Sequence, residues 1–251
     1  GNNDVLIKDP EWAQSITGLD KTVFHNIIGA IQNKKVLISG SWSLQRQQYG
    51  EQPHWMIVVL AAMIGQIGQP GGGFGLGYSA ENGIGNPVKH FKWPALNQFK
   101  NLITDFIPVA RYSDMLLNPG KNFTFNGQTY QYPNIKLVYW AGGNPFHHQM
   151  NLSKLRKATV KPDTIITNEI WWNSLARHAD IIFPTTTTLE RNDIGFRHWE
   201  QTVSPMHKAI DPVGNSRNDF DIFSLISEKL GIKEQFTENK NEEEWLKTLW
   251  D

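Results

Sequence analysis

Residues 137–149 read LVYWAGGNPFHHQ. A short apolar run breaks into Gly142-Gly143-Asn144-Pro145, and Phe146, two adjacent histidines and Gln149 come next. The run is nearly continuous in apolar residues, as expected of a strand covered on both faces, and the glycines mark its end. Such a break suits a metal site, a bound small molecule or a plain turn, and the rest of the chain has to decide between them.

Three further runs have the same character: KVLIS at 35–39, TIIT at 164–167 and DIIF at 180–183. With KLVYW at 136–140 they read as buried parallel strands. Helical patterns lie between and around them. KTVFHNIIGAIQNK (21–34), QMNLSKLRKA (149–158) and NDFDIFSLISEKLGI (218–232) carry apolar residues at helical spacing, with Asn218 or Asp219 as N-cap of the last. HWMIVVLAAMIGQIG (54–68) reads as a buried helix stopped by Gly-Gln-Pro-Gly. Strands alternating with helices predict an α/β fold: a Rossmann-like, doubly wound, mainly parallel sheet. Residues 84–134 interrupt the pattern as an insertion, with FTFNGQTYQY (123–132) as a small β-hairpin excursion turning at Asn126-Gly127. GGGFGLG (71–77) resembles a phosphate loop but comes after a helix, so it is expected to be a flexible surface loop.

The chain has 251 residues, 39% hydrophobic and 19% charged, with 24 basic against 24 acidic side chains. That length allows one large domain or two small ones. The balance points to neither nucleic acid nor an anionic membrane surface. The ten tryptophans suggest a thick core, a ligand pocket or a buried interface. With no cysteine, disulfides, thiolate zinc and iron–sulfur ligation by these residues are excluded. The longest apolar run, 56–65, has roughly half the length of a membrane span. The chain opens without methionine and stops inside an amphipathic pattern, EEEWLKTLWD, which reads as a fragment of something longer.

The residues after each strand run are polar or glycine-rich. In one open parallel sheet these ends share the carboxyl edge, where such folds bind ligands. Glycines let backbone approach a phosphate, and helix N-termini attract its charge. Arg46 or Arg191 suits a diphosphate. Glu169 suits ribose hydroxyls, and Asp219 a guanine N–H edge. His147 and His148 are adjacent, point apart on a helix, and make a poor metal pair. Each motif alone is more often a turn or a surface pair, and their coincidence at four strand ends carries the reading.

Three longer segments resemble the molybdopterin oxidoreductases of the dimethyl sulfoxide reductase family, in its trimethylamine N-oxide and biotin sulfoxide reductase branch. They are GSWSLQRQQYGEQPHWMIVVLAAMIGQIGQPGGGFG, WAGGNPFHHQMN and NEIWWNSLARHADIIFPTTTTLERND. The resemblance implies bis-molybdopterin guanine dinucleotide with one molybdenum. It implies that residues 1–251 are a single Rossmann-like cofactor-binding domain of a larger enzyme. By motif, the cofactor contacts fall on Ser41, Trp42, Gln45 and Arg46, on Gly143, Asn144 and His148, on Asn168 and Glu169, on Arg191, and on Asp219, which has Asn218 and Asp221 as close rivals. No catalytic residue and no metal ligand falls in this stretch, so the piece alone is expected to be inactive. The implied partners are the missing domains of the same polypeptide, an S-oxide or N-oxide substrate and an electron-donor protein, a c-type cytochrome if the enzyme is exported. Family likeness favours a periplasmic location. A nucleotide-binding α/β module without redox role, and a fragment whose polar loops are only turns, are the alternatives.

Overall fold

In the computed structural model, residues 5–47, 49–76, 95–103, 106–196 and 202–251 are described. The chain divides into two compact units, Gly1–Gly85 and Asn86–Asp251.

The first unit opens with helices α1 (Pro10–Thr17) and α2 (Lys21–Ile31), capped by the Asp9 and Asp20 side chains, which accept from Trp12 N and Thr22 N. Strand β1 (Leu37–Gly40) leads through a single 3-10 turn, Trp42–Gln45, into α3 (Glu51–Met63) and then β2 (Gly73–Leu76). The two strands pair in parallel, Leu37 opposite Gly73 through Gly40 opposite Leu76. Thus 73–76 is a strand, not the flexible loop its glycines suggested. Gly73 enters it at φ +98, a conformation that L side chains rarely adopt. The preceding turn is fixed by Gln66, whose side chain accepts from Val36 N (3.0 Å) and donates to the Lys34 carbonyl (3.2 Å).

Helix α3 is not buried as expected. Only its Ala61 is fully enclosed, while Trp55, Met56, Val59, Leu60 and Met63 are exposed. Its contacts run to β1 and β2, which cover one side, and the rest of its apolar circumference faces outward. Contact with β1 is close: a Cβ on Gly40 would lie 2.5 Å from Ile57 Cδ1.

The second unit begins with α4 (Tyr112–Leu117) and a hairpin of β3 (Asn122–Phe125) and β4 (Gln128–Gln131). Asn126 (φ +49) and Gly127 (φ +75) turn it, the pair of left-handed residues that a two-residue hairpin loop requires. The expected excursion at 84–134 thus holds its hairpin, although 84–94 and 104–105 lie outside the described residues. Next come β5 (Leu137–Ala141), α5 (Pro145–His148), α6 (Leu152–Thr159), β6 (Thr164–Glu169) and β7 (Ile181–Pro184). The three strands form one parallel sheet in the order β5-β6-β7. The helix expected at 149–158 starts only at Leu152, because Asn151 at φ +55 interrupts the chain and caps α6 through Lys154 N.

Burial tracks the pairing. Central β6 encloses Ile165, Thr167 and Asn168, whereas β5 and β7 have one neighbour each and are only half-buried. The expectation of four strands covered on both faces therefore holds for β6 alone. Strand β1 belongs to the first unit's sheet, so the four strands do not form one ladder among the described residues. A second hairpin, β8 (Asp193–Phe196) with β9 (Val203–Met206), precedes α7 (Asp219–Lys229), α8 (Lys233–Thr237) and α9 (Glu242–Trp250). A capping box between Asn241 and Glu244 starts α9.

Candidate functional site

The parallel register places the ends of β5, β6 and β7 side by side: Ala141 opposite Asn168, and Glu169 opposite Pro184. Seven of the predicted contacts lie on this unit. At the end of β5, Gly142 (φ +80) and Gly143 (φ +78) are exposed, with open space where a side chain would project. Asn144 closes the turn by accepting from Phe146 N (3.0 Å), and α5 is a single turn with His148 at its exposed end. The Phe146 ring stacks on His178 at 4.4 Å, which joins the loops after β5 and β6.

Asn168 is 4% exposed at the end of β6, where an unpaired amide would be costly. Tyr139 Oη donates to its Oδ1 (2.7 Å), and its Nδ2 donates to Asp219 Oδ1 (2.7 Å). Asp219 opens α7 and is itself exposed. Burial, and then the charge of Asp219, hold the Tyr139 phenol above its ordinary pKa, so it stays a donor. Asn218, the N-cap, makes no cap bond through its side chain. It accepts from Thr186 Oγ1 (2.6 Å) and donates to Glu242. Among the rivals for the guanine position, only Asp219 bonds to Asn168.

Glu169 spends its carboxylate on its own loop. Oε1 accepts from Ile170 N (2.9 Å) and Trp171 N (3.3 Å), and Oε2 from Asn173 Nδ2 (2.7 Å). Glu190 is no surface residue: it is 5% exposed, and it accepts from Thr187 N (2.7 Å), Thr187 Oγ1 (2.8 Å) and Val213 N (2.6 Å). The Thr187 backbone bond, followed by the other two, holds its carboxyl below the ordinary range. Arg191 beside it is engaged, with Asp193 at 3.0 Å and the Thr186 carbonyl at 2.9 Å. It lines a polar cavity of about 280 Å³ together with Asn218, Asp221 and Glu242.

The remaining four predicted contacts belong to the first unit. Ser41, Trp42, Gln45 and Arg46 come after β1, all exposed, and Ser41 Oγ accepts from Ser43 N (3.3 Å) to start the 3-10 turn. Among the described residues no group of three or more His, Cys, Asp or Glu could hold a metal ion, and no helix is long and apolar enough to cross a membrane. Sequence reasoning missed Tyr139 and Asn173, which hold Asn168 and Glu169. A tyrosine inside a strand reads as core, and only the three-dimensional pairing reveals its partner.

Exposed glycines, a fixed amide and an exposed carboxylate stand at the ends of neighbouring strands and at the start of α7. Residues 12–229 match the profile of the family described as Molybdopterin oxidoreductase. The whole chain is 45% identical to a biotin sulfoxide reductase of Cereibacter sphaeroides, covering 34% of that protein. It is 41% identical to a trimethylamine-N-oxide reductase of Haemophilus influenzae and to a dimethyl sulfoxide/trimethylamine N-oxide reductase of Cereibacter sphaeroides, covering 32% of each. The chain thus spans about a third of the length of these relatives.

Proposed function

The chain belongs to the molybdopterin oxidoreductase family, and from that premise we propose that it is the part of an S-oxide or N-oxide reductase that grips the guanosine end of a molybdopterin guanine dinucleotide. The observation that carries this reading is the Asn168–Asp219 pair at the sheet's carboxyl edge. Asp219 offers a carboxylate held from one side and exposed on the other, suited to the adjacent N–H donors of guanine. The loop shaped by Glu169 faces ribose hydroxyls. Gly142 and Gly143 let backbone approach the diphosphate closely. Arg191 would bring part of its charge already offset, because it pairs with Asp193.

When bound, the cofactor supplies a molybdenum centre that takes oxygen from the substrate. This chain's residues bind and orient its nucleotide end. In the second unit the parallel order β5-β6-β7 with its helices supports a Rossmann-like, doubly wound arrangement. The relatives' names support an oxide substrate. The rest of the same polypeptide completes the cofactor cage, an electron-donor protein reduces the enzyme, and the periplasm is its place.

Asp219→Ala in the full-length protein tests the reading. Loss of a charged acceptor costs roughly 1.5–3 kcal/mol, or about ten- to a hundredfold in affinity. Molybdenum content measured at limiting cofactor should fall accordingly. Full occupancy in the variant would remove Asp219 from the site.

A further inference from the structure

We infer that Tyr139 is a positioning residue for guanine recognition: through Asn168 it fixes the direction in which Asp219 presents its free carboxylate oxygen. This rests on the proposed role of Asp219.

The polarity of the hydrogen bonds carries the inference. An ionised carboxylate only accepts, so Asn168 must turn its NH2 toward Asp219. Its carbonyl oxygen then points the other way, and at 4% exposure it needs a donor. Tyr139 Oη supplies it at 2.7 Å. The chain of bonds therefore runs in one sense only, from phenol to amide to carboxylate, with Asp219 Oδ1 accepting at its end (2.7 Å). Among the described residues the carboxylate's other oxygen takes no hydrogen bond, and the residue is exposed. The ring that begins the relay has little freedom. It lies 5.5 Å from Phe223, on the same helix as Asp219, and 6.5 Å from Phe183. Without the hydroxyl, the carboxylate still draws the Asn168 NH2, but the amide oxygen is left without its donor at a buried position. The amide is then held from one side only, and its direction, with that of the Asp219 carboxylate bonded to it, is no longer fixed.

The test is calorimetric titration of full-length apoprotein with GDP and with ADP. The wild type should prefer GDP. Tyr139→Phe should shrink the GDP-to-ADP affinity ratio about tenfold while ADP affinity stays within about twofold. Phe223→Leu, which disturbs the packing of the same ring but leaves the hydroxyl, should lower the melting temperature and keep the ratio. Asn168→Ala should lose the same preference. The double variant Tyr139→Phe/Asn168→Ala should lose no more than Asn168→Ala alone, because members of one relay are not additive. A wild-type ratio in Tyr139→Phe, with Asp219→Ala losing it, would overturn the relay and leave the Asp219 reading standing. Additive losses in the double variant would also overturn it. Equal GDP and ADP affinity in the wild type would overturn both.

Discussion

Glu169→Gln separates the shape of the loop after β6 from its charge. Glutamine matches glutamate in size but replaces one acceptor oxygen with a donor NH2. In the native loop one oxygen serves the Ile170 and Trp171 amides and the other serves Asn173 Nδ2. Asn173 cannot simply flip, because its Oδ1 accepts from Ala176 N at 3.0 Å. If the new oxygen stays on the backbone amides, two NH2 groups face each other. If it turns to Asn173, the backbone amides lose their acceptor. Each arrangement forfeits a charge-assisted bond, worth roughly 1.5–3 kcal/mol where water is excluded. Glu169 is half-buried, so solvent restores part of it and about 1–2 kcal/mol remains. GDP affinity of the full-length apoprotein should therefore fall about five- to thirtyfold. The loop reports on itself, since Trp171 and Trp172 are 68% and 66% exposed, and their emission should shift with its conformation. Native GDP affinity together with unchanged emission would refute the role given to this carboxylate.

Packing and charge set the other expected outcomes. Leu155 is fully buried on α6, so Leu155→Ala removes three enclosed carbons. At about 0.8 kcal/mol each, plus a cavity, it should cost about 2–5 kcal/mol in denaturant unfolding; Leu152→Ala, 48% exposed on the same helix, should cost under about 1. Glu190 has its folded pKa below the ordinary 4.5, so its contribution is full above that pH and is lost as pH falls through the folded value. Acid unfolding of Glu190→Gln should lack that part of the pH slope. In the first unit, a Cβ on Gly50 would lie 2.2 Å from the Gln45 carbonyl oxygen, a backbone atom, while one on Gly40 meets the movable end of Ile57. Gly50→Ala should lower the melting temperature well beyond Gly40→Ala.

Local signals were legible where they were strong. Asn126-Gly127 named its hairpin, and the apolar runs at 136–140, 164–167 and 180–183 named the strands of one sheet. Strand β2 was not legible, because a run of glycines looks like a loop until a distant strand pairs with it. Nor was the exposure of α3: an apolar run says that a helix needs cover, not that the cover is present. At the site, acids and glycines at strand ends could be picked out by type and place. What they do with each other could not. Glu169 and Arg191 turned out to hold their own loops, because a side chain that can reach a ligand can equally reach the amides and carbonyls beside it. The Glu190–Val213 and Asn168–Asp219 bonds, which span 23 and 51 residues, leave no local trace.

The central claim is that this chain carries the guanine-reading half of a nucleotide site. Titrating the wild-type full-length apoprotein with GDP, and with ADP as control, tests it most directly. Guanine-selective binding is predicted, with Asp219→Ala bringing the two nucleotides to parity. Equal or tighter binding of ADP would contradict it.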